Sequence, residues 1–311
     1  MKVFVCFLGL IAAALAAMAA LTYPLWAALY PHFGFPFHRV ADRIGMLVLA
    51  IGFVLVARRL RLADRASLGY GAPRAIFLRD LGVGFLLGAP MMGLVVGVMV
   101  ALGLREWKPG MTVDAATLAA IAGIGVTRGF AVAVIEETFL RGAMFTGIAR
   151  ECGPKLAVAL TALVYAATHF VGRSSIAADH ASWGSGLALL VASLHAFTHP
   201  LAIADAYLSL FAVGVVLGAV RAQAGHIGAC IGLHASWVWV ITFVRETSIA
   251  SRTSPLAFLL SRFDGVVGWL VLGWTVLLGV VLIGYGPLLW GSRRRDPLDA
   301  VKAPGAARGT S

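Results

Sequence analysis

Hydrophobic positions along the chain fall in a succession of long runs separated by short polar stretches. The first covers Val3 to about Tyr23 and follows a single Lys2. A signal peptide would be followed by an Ala-x-Ala site and a soluble mature domain. No such site with a soluble mature domain behind it follows here, so the run is read as a first membrane span. Further runs cover Ile44–Val56, Leu81–Leu104, Thr117–Ile148, Lys155–Val171, Ala206–Val220, Ile227–Val244 and Val266–Trp290. The pattern predicts an all-α, polytopic integral membrane protein with about eight transmembrane helices. Residues 187–202 are also apolar but carry His195, His199 and Pro200. They are read as a re-entrant or interfacial element, because backbone that does not span is tolerated at depth only when buried in protein or lining a cavity.

Composition sharpens this reading. The chain has 311 residues, 60% hydrophobic and 13% charged, with a mean hydropathy of +0.90. Soluble domains average about 45–50% apolar and about 25% charged residues. Disorder and an ordinary cytosolic enzyme are therefore excluded. Cys6, Cys152 and Cys230 are far apart and form no CxxC, so neither a disulfide framework nor a thiolate metal site is indicated.

The net charge of +11 is read as topology and anionic headgroups, with no nucleic acid as partner. Arg58, Arg59, Arg61, Arg65, Arg74 and Arg79 crowd one connection, which the positive-inside rule makes cytoplasmic. With eight spans, both termini are then cytoplasmic, and Arg150, Lys155, Arg221 and Arg293–Arg295 fall on the same side. The expected organisation is an N-terminal helical region (1–114) and a central membrane domain (115–247) holding a re-entrant or lid segment (172–204). A last helix (248–290) and a basic, disordered cytoplasmic tail (291–311) complete it.

Glu136 and Glu137 stand where ionised groups should not be, inside Gly129–Phe145. One carboxylate at bilayer depth costs roughly 2.5–3.5 kcal/mol on insertion scales, so two adjacent ones need partners or a task. Glu137 and Arg141 are four apart and share a helix face, which predicts an ion pair. Glu136 lies about 100° round the helix and is free to face a cavity, where desolvation favours a general base. His169 ends the Lys155–Val171 run, one turn after Tyr165, and His234 lies about two turns into a later run. Two carboxylates and two imidazoles on a wet pocket suit two chemistries. One is a divalent metal such as zinc on Glu136, His169 and His234. The other is a metal-free site with a glutamate base and histidines supporting an oxyanion.

Glu136-Glu137-x-x-x-Arg141, an aromatic-x-x-x-His motif at Tyr165 and His169, a helix with Phe211, Gly214 and Gly218, and then His234 occur in order within apolar helices. Over about residues 117–245 this resembles the CPBP family of intramembrane proteases, the CAAX-protease and bacteriocin-processing group also called ABI. The resemblance implies a four-helix core around a polar chamber. It implies Glu136 as the residue that activates water, Glu137 and Arg141 as its support, and His169 and His234 completing the site. It further implies peptide hydrolysis in membrane-associated protein or peptide substrates, in a bacterial cytoplasmic membrane. Two departures stand out: Tyr165 replaces the usual Phe, and Val238 stands where the family often has Asn. Ser236 or Trp237 are the neighbours that could replace that polar partner. A proton-coupled transporter using the same charges, and a non-catalytic immunity or scaffold member of the family, are the competing readings. The inverted repeats expected of the former are not visible.

Overall fold

The structure, a computed structural model, describes residues 1–111, 114–171, 175–251 and 253–290. The tail expected over 291–311, and part of the 172–204 segment, lie outside the described residues. Among these residues seven helices are long and apolar enough to cross a membrane. They are α1 (Lys2–Phe33), α2 (Phe37–Arg59), α3 (Arg74–Ala101), the continuous stretch Ala115–Cys152, α8 (Pro200–Ala224), α9 (Gly228–Thr247) and α10 (Trp269–Leu289). Ala115–Cys152 is itself α4 (Ala115–Glu137), a π-helical turn (Thr138–Met144) and α5 (Phe145–Cys152). The remaining expected span is α6 (Pro154–Thr168), whose 15 residues reach about 22 Å at about 1.5 Å per residue. The protein is an integral membrane protein of the expected all-α class.

Large apolar side chains cover the outside: Leu86, Ile135 and Val280 are each about two-thirds exposed or more. Lipid solvates such a face, and the polar groups turn inward.

Most helices run longer than their apolar stretches. α1 continues to Phe33, ten residues past Tyr23, and α2 starts at Phe37, seven before Ile44. Hydropathy marks the hydrocarbon layer, whereas the helix continues through the headgroup region on His38, Arg39 and Asp42. Local signals set several ends. Asp114 caps α4 by accepting the Thr117 N–H at 2.9 Å and the Thr117 hydroxyl at 2.7 Å. Pro154 and Pro200 open α6 and α8, where a missing N–H costs nothing. The 187–202 stretch is a short helix, α7 (Ser185–Leu194), and a 3-10 turn (His195–Thr198), before α8 begins at Pro200. α7 lies against α1 so closely that a Cβ on Gly186 would stand 2.0 Å from the Ala19 carbonyl.

One pair of strands was not foreseen. β1 (Arg105–Trp107) pairs antiparallel with β2 (Ser248–Ala250), tying the end of α3 to the end of α9. Arg105 locks this junction through bonds to the carbonyls of Gly265, Val244 and Ser248.

The helices that carry the site meet through glycines. A Cβ on Gly232 (α9) would lie 2.1 Å from the Leu81 carbonyl of α3, and one on Gly129 (α4) 2.4 Å from the Ala235 carbonyl of α9. Gly214 and Gly218 on α8 likewise face Ala162 and Val158 on α6. Small residues let backbones approach and give van der Waals packing its full value where lipid supplies no hydrophobic drive.

The same end of the bundle gathers the chain start and several cationic turns. The Met1 amino group pairs with Glu151, Arg150 donates to Ser67 in the 60–73 connection, and Arg79 donates to the Leu289 carbonyl. The α8–α9 turn is there as well. Gly225 takes a left-handed conformation (φ 76°) and its N–H closes on the Arg221 carbonyl. His226 follows, buried between Asp80 and α9. Its Nε2 donates to Asp80 at 3.1 Å and its Nδ1 accepts the Gly228 N–H that opens α9. Burial holds the His226 imidazole below the ordinary histidine range, with Asp80 opposing the shift and Arg221 adding to it.

A histidine lowered in the fold contributes stability that is present above its unfolded value, about 6.5. That stability is lost as pH falls through the lower folded value, because only the unfolded chain then binds the proton freely. The melting temperature of the solubilised protein should therefore fall on acidification below about pH 6. His226→Gln should flatten that slope; an identical slope in the variant would remove His226 from the account.

Candidate active site

Four helices converge on one polar cluster. α4 delivers Glu136 and Glu137 in its last turn, and the π-helical turn delivers Arg141. α6 delivers Tyr165 and, at its C-terminal cap, His169. α9 delivers His234, and α8 contributes the Gly214 carbonyl.

Glu137 is the hub. Its Oε1 accepts from Arg141 Nη1 at 3.1 Å and from His234 Nδ1 at 2.8 Å, and both Glu137 and Arg141 are fully buried. The ion pair expected four residues apart is present, and Arg141 also donates through Nη2 to the Gly214 carbonyl at 3.2 Å. The bond from His234 to Glu137 was not foreseen, since sequence assigned that histidine to the chemistry of Glu136. It fixes the ring: Nδ1 carries a hydrogen toward Glu137, and Nε2 points the other way, 3.9 Å from Glu136 Oε2.

Glu136 differs from its neighbour. Its side chain is 33% exposed, while Oε2 is buried and takes no hydrogen bond from any described residue. The 100° rotation between adjacent helical residues thus separates one carboxylate locked in an ion pair from one open to a ligand.

Tyr165 joins the two histidines. Its ring meets His169 edge-on at 4.6 Å and His234 at 5.9 Å, and the Arg141 guanidinium lies 4.8 Å from its centre. His169 Nδ1 donates to the Tyr165 carbonyl at 2.7 Å. Tyr165 was read as the first residue of a motif; its position as the shared wall of the site needed the fold.

The neighbours of Val238 do not supply the missing polar group. Ser236 donates back to the Leu233 carbonyl at 2.8 Å and points at Gly88 of α3, and Trp237 also packs against α3. Both lie on the α9 face opposed to α3, while His234 faces Glu137. That expectation is corrected by the rotation of the helix. His195, which opens the 3-10 turn, and His199, which follows it at the start of α8, stand against each other at 4.9 Å, and His180 stands by Asp179.

The metal expectation was placed on Glu136, His169 and His234. Among the described residues no three His, Cys, Asp or Glu side chains are grouped as a metal ion would require. Glu136 Oε2 and His234 Nε2 converge as a pair, and Nδ1 of His234 is committed to Glu137. The donor set does not fit a zinc site, which needs at least three protein ligands.

Residues 118–240 match the family model described as type II CAAX prenyl endopeptidase Rce1-like. The match begins in α4 and ends in α9, and so contains every residue of the cluster. That segment is thus similar to a family of membrane endopeptidases, as the order of the motifs implied. No curated protein and no solved structure matches the chain.

Proposed function

We propose that the protein is an intramembrane endopeptidase in which Glu136 activates water to hydrolyse a peptide bond of a membrane-associated substrate. The observation that carries this is the split between the two glutamates. Glu137 is neutralised by Arg141 and His234, while the buried oxygen of Glu136 faces His234 Nε2 at 3.9 Å. A water bonded to both at about 2.8 Å fits a pair so spaced.

Glu136 takes a proton from that water as its oxygen bonds to the scissile carbonyl carbon. The carbonyl electron pair moves to oxygen, and the His234 ring, held by Glu137, supports that oxyanion from Nε2. In this reading His169, edge-on to Tyr165, is the second support of that charge. Collapse breaks the C–N bond, and the proton on Glu136 passes to the departing amine. No covalent enzyme intermediate forms. Such base catalysis contributes about 10²–10⁴-fold, and a buried oxyanion donor about as much again, roughly 10²–10³-fold.

The proposed setting is a bacterial cytoplasmic membrane with both termini cytoplasmic. The clustering of the chain start, the arginine-rich connection, Arg150 and the α8–α9 turn at one end supports it. The family description supports a prenylated C-terminal substrate, and Val238 marks where specificity departs from the common pattern.

The test is the purified protein in liposomes with an internally quenched peptide ending in a farnesylated CAAX sequence, beside the unprenylated peptide. Cleavage is expected, and prior dialysis against EDTA should leave its rate unchanged. Loss of activity on chelation, restored by zinc, would return the chemistry to the metal reading. No cleavage of either peptide would remove the CAAX-like substrate.

A further inference from the structure

By sequence Arg221 reads as one more positive charge at a cytoplasmic helix end. In the fold it is 7% exposed and turned inward from the last turn of α8. Its Nε donates to the backbone carbonyl of Arg141 at 2.8 Å. Its Nη2 donates to the Thr146 hydroxyl at 3.3 Å, and the guanidinium lies 5.2 Å from the centre of the Phe145 ring. Its partners among the described residues are thus a carbonyl, a hydroxyl and a ring, not a carboxylate. A guanidinium buried on such terms calls for a reason other than ion pairing.

The reason lies in the π-helical turn. In an α-helix the Phe145 N–H would bond the Arg141 carbonyl four residues back. Here it bonds the carbonyl of Leu140, five back, and that of Gly142. The Arg141 carbonyl is deprived of its ordinary donor, and Arg221 Nε takes that place. A buried carbonyl left without any donor would disfavour the extra residue in the turn. Single π-turns inside α-helices are rare and recur at functional sites. This one rotates Arg141 so that it meets Glu137 below, Gly214 across and Tyr165 beside it.

The clasp is reciprocal. Arg141 donates from its side chain to the Gly214 carbonyl of α8, and α8 donates from Arg221 to the Arg141 backbone. Positions 214 and 221 are seven apart and lie on one helix face. On its other side the turn is closed by the 60–73 connection: a Cβ on Gly142 would stand 2.5 Å from the Leu68 carbonyl, and Tyr70 bonds Thr138 at 2.6 Å.

We propose that Arg221 is a positioning residue: it caps the carbonyl freed by the π-turn and so holds Arg141, and through it Glu137 and His234, in register for hydrolysis. The catalytic half of this statement rests on the function proposed above. The structural half does not.

The test compares Arg221→Gln and Arg221→Lys with wild type, in liposomes, by two readouts. Amide hydrogen exchange over residues 138–146 reports the turn whether or not any peptide is cleaved. It should rise at least about tenfold in Arg221→Gln, the size expected when one buried hydrogen bond of about 1.4 kcal/mol is lost, and should lie between that value and wild type in Arg221→Lys, which keeps a charged donor of similar reach but not the guanidinium Nε–H. On the farnesylated peptide, kcat should fall about 100-fold at unchanged KM, as for misplacement of catalytic groups by about 1 Å. Wild-type exchange in Arg221→Gln overturns the proposal, as does raised exchange with unchanged kcat. If Arg221→Gln does not accumulate, Arg221→Lys decides: intermediate exchange and kcat support the clasp, and wild-type values for both overturn it. Failure of wild type to cleave, with exchange still rising in the variant, overturns the proposed function and leaves the clasp standing.

Discussion

Glu136→Gln is expected to lower kcat by roughly 10²–10⁴-fold while leaving KM, expression and melting temperature near wild type. The amide is isosteric with the carboxylate, so the side chain still occupies its place beside His234. It can no longer accept a proton from water. Stability should hold because Glu136 makes no short ion pair among the described residues: His234 Nε2 stands 3.9 Å away, and a third of the side chain is exposed. Glu137→Gln makes the informative contrast. That carboxylate is fully buried and binds Arg141 and His234 at once, so its loss should affect folding and catalysis together. A steady-state comparison in liposomes, with melting curves on the same preparations, separates the two roles. Equal loss of stability in both variants would mean that the split between a structural and a reactive glutamate is wrong.

The second large effect concerns Arg141. Arg141→Met should destabilise the protein by about 3–5 kcal/mol, the range for removing one partner of a buried ion pair. The cost arises from what remains: Glu137 would keep its charge, at zero exposure, with His234 as its one close partner. The Gly214 carbonyl would also lose a donor, and Tyr165 the cation against its ring. The double variant Glu137→Gln/Arg141→Met should recover a large part of the loss, because a neutral amide still accepts from His234 Nδ1 and no unpaired charge is left. Activity should not recover with it. Unfolding in mixed micelles measures both. A double variant no more stable than Arg141→Met would show that the arginine acts through packing rather than charge.

Much of the site was legible before the fold because charge inside an apolar run has few explanations. Glu136, Glu137 and Arg141 interrupt the stretch from Gly129 to Phe145, and their spacing alone gave the Glu137–Arg141 pair. The histidines were legible from their order along the chain.

What was hidden has physical causes. The π-turn has no compositional signature; one N–H choosing a carbonyl five residues back leaves no mark on hydropathy. The His234–Glu137 bond joins helices 97 residues apart and depends on their rotation. Ser236 and Trp237 looked available beside Val238 until the α3–α9 contact turned them away. Arg221 was visible as a charge, but three residues before Ala224-Gly225 it resembled a loop-end cation. A charged residue just short of a glycine stop, on the face that carries Gly214 and Gly218, is the signal that could have revealed it.

The central claim is hydrolysis by Glu136-activated water in the membrane. It is tested most directly by quantitative mass spectrometry of membrane-protein and secreted-peptide termini. Cells expressing wild type are compared with cells expressing Glu136→Gln at matched levels. The account predicts uncleaved termini that accumulate in the variant alone and disappear with wild type, which also names the substrate. Identical termini in both, with a cellular phenotype still lost in the variant, would contradict proteolysis and point to a proton relay.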